Sequence, residues 1–212
     1  MSEVRSGLRH LLATPVLYNI FQNIVGANAW RREAVGRALA TVTKDAKHRV
    51  RVLDIGCGTG DVLSYLPANV DYVGFDRNAA YIASAQERFR ERSARFVCDE
   101  LTVDYDSQES EFEIILALGL LHHLDDSTAE SLFRTAKQRL RPSGFLLTLD
   151  PLYALGQSKI ARYIISKDRG THTRTEMEYC ELARRVFNHV TCDVDQDPLR
   201  IPYTGVVMRC AI

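Results

Sequence analysis

From Arg51 onward, short apolar runs that read as strands alternate with stretches whose apolar residues recur at helical spacing. That alternation predicts an α/β fold, a mostly parallel sheet with helices on both faces. The strand-like runs are VRVLDI, DYVGFD, ARFVCD, FEIILALG and GFLLTLD. Several end on an acidic residue or a glycine, so those ends should gather along one edge of the sheet. Between them, Asn78 to Arg92 reads as a helix opened by an N-cap asparagine, and DSTAESLFRTAKQRLRPSG as a helix that starts at Asp and stops at Pro-Ser-Gly. Further on, TRTEMEYCELARRVFN carries a capping box, Thr175 with Glu178. The last two strand-like runs, HVTCDVDQD and IPYTGVVMRCAI, are separated only by the Pro198 to Pro202 turn. No crossover helix fits there, so they should pair antiparallel. Residues 1–48 are helical in pattern, broken at Gly26 to Asn28, with Tyr18, Phe21 and Trp30 as their large aromatics.

Composition narrows the partners. The chain has 212 residues, 46% hydrophobic and 25% charged, enough for one sizeable core, and its 27 basic residues balance 27 acidic ones. Such neutrality does not suggest nucleic acid or a polybasic membrane face and leaves a small molecule as the expected partner, with the oligomeric state open. No apolar run reaches the roughly 18 residues of a membrane span, and the N-terminus does not read as a signal peptide, so a cytoplasmic location is expected. Cys57, Cys98, Cys180, Cys192 and Cys210 are scattered, without metal-ligand spacing, and read as buried reduced thiols with no metal.

The stretch VLDIGCGTGDVL places glycines at 56, 58 and 60 between a strand and a helical turn. Glycines there let a ligand approach backbone N–H groups, because no Cβ stands in the way. A dinucleotide fingerprint needs G-x-G-x-x-G, whereas the spacing here is G-x-G-x-G, with Asp61 where the third fingerprint glycine would stand. The first strand contains Asp54 and the second ends in Asp76, near the ~20-residue separation at which a carboxylate meets ribose hydroxyls. An adenosine-bearing ligand without a pyrophosphate fits both facts.

Taken in order, VLDIGCGTG, YVGFDRNAAYIASA, FVCDEL, ILALGLLHHLDD and LRPSGFLLTLD resemble the successive motifs of class I S-adenosylmethionine-dependent methyltransferases over roughly residues 50 to 150. The resemblance implies a doubly wound seven-stranded sheet, order 3-2-1-4-5-7-6, closed by the antiparallel hairpin. S-adenosyl-L-methionine would bind over the carboxyl ends of the first strands. It also implies that Gly56, Gly58 and Gly60, with Cys57, form the loop beneath the cofactor and that Asp76, with Arg77 beside it, holds the ribose. Asp99 would meet the adenine amino group, Glu100 and Leu101 would line the adenine, and Ala117 and Leu118 would flank the methionine part. Asp54 either fixes the loop or meets the cofactor. Asp76 has the alternative of capping the helix at Asn78, and Asp99 that of a solvated strand end.

Methyl transfer from a sulfonium mainly requires alignment, and a base is needed only where the acceptor keeps its proton. His122 and His123 follow the fourth strand and are candidate bases, with a structural role as the alternative; Asp150 ends the fifth strand at the same edge, and Tyr153 is a candidate acceptor contact. The domain expectation is a helical lid segment at 1–48 and a methyltransferase domain at 49–212 with an insertion at about 151–174. Within that insertion Asp168, Arg169, His172 and Arg174 read as a solvated loop or as an anion contact. Tyr18 is the aromatic expected to face the cofactor, with core packing as its alternative. The leading function is methyl transfer to a small-molecule acceptor; the rivals are a catalytically silent binding or scaffold protein and a nucleotide-dependent oxidoreductase.

Overall fold

A computed structural model describes residues 26–43, 48–102, 111–168 and 170–212. Seven strands form one sheet: β1 (Val50–Ile55), β2 (Val70–Asp76), β3 (Ala94–Cys98), β4 (Phe112–Leu118), β5 (Leu140–Pro151), β6 (His189–Gln196) and β7 (Thr204–Ala211). Their order is β3-β2-β1-β4-β5-β7-β6, as expected. The first five are parallel, and β7 runs antiparallel to both β5 and β6. The helices are α1 (Ala27–Thr43), α2 (Ala79–Arg88), α3 (Asp126–Arg139), α4 (Lys159–Ser166) and α5 (Glu176–Arg184), with 3-10 turns at Asp61–Tyr65 and Leu121–His123.

The two-residue period of the strands sorts their side chains into two cores. Val52, Ile114, Leu116 and Leu147 pack beneath α1 and α2 with Trp30, Val35, Ile82 and Phe89. Leu53, Ile115, Ala117 and Leu146 face the other way, against Phe133 of α3 and Tyr179 and Leu182 of α5. Trp30 is thus a core aromatic; its indole N–H donates to Asp195 at 2.6 Å, tying α1 to β6. Tyr18 and Phe21 lie outside the described residues.

Several boundaries shift from the sequence expectation. The helix after Asn78 ends at Arg88, four residues early, because the Arg92 guanidinium turns back to the carbonyls of Leu63 and Leu66. α3 starts at Asp126 as expected and is capped by Asp125, which accepts from the Thr128 N–H at 2.8 Å, but it ends at Arg139, before Pro142. β5 begins at Leu140 instead of Gly144, since Leu140 already pairs with Phe112; the register then slips, and a Cβ on Gly144 would stand 2.6 Å from the Phe112 carbonyl oxygen. Cys180 and Cys192 are joined as a disulfide between α5 and β6, and Cys98 is exposed, so only Cys57 and Cys210 are the buried thiols expected. The reason is topological: β6 returns along α5 and brings two cysteines distant in the pattern to a Cα separation of 6.7 Å. No helix among the described residues is long and apolar enough to cross a membrane.

Two glycines test the packing of α1. A Cβ on Gly205 would overlap the Trp30 ring at 1.9 Å, whereas one on Gly36, exposed in mid-helix, meets nothing within 4 Å among the described residues. Gly205→Ala should therefore cost roughly 1–3 kcal/mol by overpacking, while Gly36→Ala should add up to about 1 kcal/mol through helix propensity. Urea denaturation monitored by circular dichroism reads both.

Candidate functional site

After Ile55 the chain turns through three glycines with φ of +75°, +55° and +71° at Gly56, Gly58 and Gly60. Three consecutive amides hold this loop to the end of β2. The N–H groups of Gly56 and Cys57 donate to the Phe75 carbonyl at 2.8 and 2.9 Å, and the Gly58 N–H donates to Asp76 Oδ2 at 2.9 Å. The other oxygen of Asp76 accepts from the Asn78 N–H at 2.8 Å, so the carboxylate joins the loop to the start of α2, whose N-cap is the Asn78 side chain. Asp76 thus does not cap α2, as its alternative had it, but holds the backbone of the residue that does, while keeping acceptor capacity on both oxygens.

The glycines divide by what a side chain would meet. Among the described residues, a Cβ on Gly58 would meet no atom within 4 Å, one on Gly56 would touch Leu120 at 3.2 Å, and one on Gly60 would strike the Phe96 ring at 2.8 Å. Gly58 faces a cleft of about 410 Å³ that includes space open to solvent. Asp54, Gly56, Cys57 and Leu118 also line it, joined by Asn28, Arg31, Thr59 and Tyr65. Gly60 is absent from that wall and packs against Phe96 and Phe89 instead.

Asp54 is buried in the cleft floor, where the Tyr72 hydroxyl donates to its Oδ2 at 2.6 Å. Burial pushes its carboxyl up to about 7, against the opposing pull of the Tyr72 bond and the nearby Arg31 charge. The Tyr65 hydroxyl, buried in the same wall, has no hydrogen-bond partner among the described residues. Burial likewise raises the Cys57 thiol, which is inert at neutral pH. Asp99 is exposed and accepts from the Glu100 N–H, while Glu100 pairs with Arg77 at 3.1 Å. Leu101 packs beside Phe75, and Ala117 is wholly buried behind the cleft wall.

The chain beyond β4 builds a second polar centre. His122 is buried; its Nδ1 lies 2.7 Å from Asp150 Oδ1, its backbone N–H donates to the same oxygen at 3.1 Å, and its Nε2 lies 3.6 Å from Asp168 Oδ1. Burial alone would favour the neutral ring, but the two carboxylates prevail and carry its pKa up to about 9. Gly170 lies directly over the ring, where a Cβ would come within 2.0 Å of Cδ2. His123 is half-buried and tilts against His122 with ring centroids 4.1 Å apart. Arg174 is neither solvated nor open to an anion, as the sequence reading had allowed. It is buried, with its guanidinium donating to Asp126 and to the carbonyls of Leu121, Leu124 and His172. Arg169 lies outside the described residues.

Asn28, Arg31, Thr59 and Tyr65 are site residues that sequence reasoning missed. Thr59 and Tyr65 flank the glycine loop within a few residues and were accessible as neighbours. Asn28 and Arg31 had no signal, because only the packing of α1 on the sheet brings them to the cleft.

The different surroundings of the glycines predict different failures. Gly58→Ala should cost about 1 kcal/mol, the penalty of a non-glycine residue at positive φ, and remove the thermal stabilisation given by S-adenosylhomocysteine. Gly60→Ala should lower the ligand-free melting temperature far more, since an aromatic ring has to move; differential scanning fluorimetry with and without ligand separates the two. His122 makes a pH prediction. Its folded value of about 9 exceeds the ordinary 6.5, so its contribution is complete below pH 6.5 and is lost as pH rises through 9. Wild-type stability should fall across that window in urea titrations, and His122→Gln should flatten the fall.

Comparison with known proteins agrees with this geometry. A family model described as a methyltransferase domain matches residues 52–144. The chain is 31% identical over 120 residues to the cyclopropane-fatty-acyl-phospholipid synthase of Escherichia coli strain K12, a match covering 53% of this chain and 28% of that protein. It therefore spans little more than a quarter of that relative. Among solved structures, the plantazolicin methyltransferase BpumL bound to S-adenosylhomocysteine superposes with a TM-score of 0.66 at 16% identity, covering 92% of this chain and 88% of that one. A methyltransferase from Methanosarcina mazei superposes with a TM-score of 0.64 at 16% identity, covering 81% of this chain and 97% of that one. Residues 52–144, which carry the ordered motifs of the central strands, are thus similar to a methyltransferase domain, and the seven-strand order gives the chain the fold of these solved methyltransferases.

Proposed function

We propose that the chain transfers a methyl group from S-adenosyl-L-methionine to a small-molecule acceptor, with the cleft at the end of β1 as its cofactor site. The observation that carries this reading is Gly58: its amide is held by Asp76, and the place of its missing Cβ is open space among the described residues. Such a cradle accepts a ligand lying against backbone, and the spacing of the loop disfavours a pyrophosphate.

In this reading the free lone pairs of Asp76 accept from the ribose hydroxyls, a charge-assisted contact suited to a diol. Asp99, Glu100 and Leu101 stand at the adenine side, with Arg77 fixing Glu100. Arg31, which lines the cleft close to Asp54, meets the carboxylate of the amino-acid end, and buried Asp54 balances its ammonium. The otherwise unpartnered Tyr65 hydroxyl gains a hydrogen-bonding ligand. Leu118 packs along the methionine chain, and Ala117 supports it from behind.

The bound cofactor supplies an activated methyl on a positively charged sulfur. What the protein adds is alignment and exclusion of water. His122 does not suit the part of a base: both ring nitrogens face carboxylates, and with a pKa of about 9 it holds its proton at neutral pH. It is a positioning residue. With Asp150, it fixes the turn after β4 and the loop that returns over it. His123, half-buried at the same edge, is the remaining candidate base for acceptors that keep their proton.

Isothermal titration calorimetry tests the cofactor. S-adenosylhomocysteine should bind and NAD should not; the reverse result overturns the reading. Asp76→Ala should weaken that binding ten- to a hundred-fold, roughly 1.5–3 kcal/mol for hydrogen bonds to a charged group. Incubation with methyl-labelled cofactor and a metabolite extract should move label into small molecules. Label that stays on the cofactor would identify a silent binding protein.

A further inference from the structure

The segment that follows β5 at the ligand edge exposes apolar side chains beside cations. Leu155 is fully exposed on a turn, at 102% of its reference area, and Ile160 and Tyr163 are exposed at 61% and 63% on α4. Helical spacing puts Ile160, Tyr163 and Lys167 on one face, while Ala161 and Ile165 anchor the opposite face in the protein. Among the described residues, three of the five exposed large hydrophobic side chains fall in the nine residues from 155 to 163. From Leu152 to Lys167 the sequence contains no acidic residue and three basic ones, Lys159, Arg162 and Lys167, in a chain whose total charge is balanced. The first carboxylate after them, Asp168, is turned inward to His122.

The cations lie against aromatic rings. The Arg162 guanidinium stands 4.8 Å over the Tyr153 ring and the Lys167 ammonium 5.5 Å over that of Tyr163. Exposed cations held against tyrosines, side chains with a wet end and a dry end, beside exposed apolar side chains match the boundary between lipid headgroups and acyl chains. A second copy of this face would bring three cations against three cations. The apolar side chains also project singly from a turn tip and one short helix, a form that enters a soft surface more readily than it fills a rigid groove.

We infer that residues 155–167 form a docking surface for an anionic lipid bilayer. Leu155, Ile160 and Tyr163 enter the headgroup region, and Lys159, Arg162 and Lys167 attract the lipid charge. Because the segment leaves β5 at the edge that carries the cleft, docking would bring the mouth of the site to the membrane surface. The sequence alone had suggested no membrane partner, since a balanced net charge hides a local basic cluster. The docking surface stands on its own residues and does not depend on the methyl-transfer reading.

The test is co-sedimentation of the full chain with vesicles of phosphatidylcholine alone and of phosphatidylcholine mixed with phosphatidylglycerol. Binding to the mixed vesicles only, weakened severalfold or more by added salt, is expected. A variant combining Leu155→Ser, Ile160→Ser and Tyr163→Ser should lose roughly tenfold or more of that binding, as should Lys159→Gln with Arg162→Gln and Lys167→Gln. Both variants should keep the wild-type melting temperature and response to S-adenosylhomocysteine. The proposal is overturned if neither vesicle binds the wild type, if both vesicles bind it equally, or if both variants bind as the wild type does. Loss of wild-type self-association in the serine variant, without any vesicle binding, would instead assign the face to a second copy, and capture of an acidic protein without vesicle binding would assign it to that partner.

Discussion

The way the chain leaves the end of β1 governs the rest of the site. A parallel strand that stops there presents backbone N–H groups to whatever lies beyond it, and here the amides of Gly56, Cys57 and Gly58 are all claimed by the end of the neighbouring strand, through the Phe75 carbonyl and the Asp76 carboxylate. The loop is therefore held before any ligand arrives. Positive φ at Gly56, Gly58 and Gly60 is what lets the backbone fold back tightly enough to make those bonds. Because Asp76 spends one lone pair on the loop and one on the start of α2, the carboxylate that would meet a ribose is already oriented. Preorganisation of this kind removes ordering costs from binding.

On the other side of the cleft the same strategy uses a histidine instead of a carboxylate. His122 is pinned between Asp150 at the end of β5 and Asp168 of the insertion, and Arg174 ties the carbonyls of Leu121, Leu124 and His172 together beneath it. The insertion is thereby fastened to the turn after β4 by charge-assisted bonds made in the interior, where screening by water is weak. Its inner half is a structural element of the site. Its outer half, from Leu155 to Lys167, seats Ala161 and Ile165 in the protein and leaves Leu155, Ile160 and Tyr163 exposed.

The helix before the sheet belongs to the same construction. Trp30 fills the space over Gly205 and donates to Asp195, which sets the position of α1 against β6 and β7. One residue further along that helix, Arg31 reaches the cleft wall beside Asp54. A packing decision made on the antiparallel side of the sheet thus places a cation at the cleft.

The sequence by itself determined the parts that repeat or act locally. Alternation in the strands, the Asn78 cap and the Thr175–Glu178 capping box established the fold class, because periodicity and capping are properties of neighbouring residues, and the resemblance carried by the glycine loop and its ordered motifs implied the strand order that the sheet shows. Only the tertiary structure decided which glycine faces an open cleft and which a ring: Gly58 and Gly60 are alike in the sequence, and their difference lies in Phe96 and Phe89, brought in from β3 and the end of α2. It likewise decided that Arg174 is buried, that His122 sits between two carboxylates, that Cys180 meets Cys192, and that Arg31 reaches the cleft. Each of these depends on pairing groups far apart in the chain, and that pairing is set by strand register and by where the helices pack.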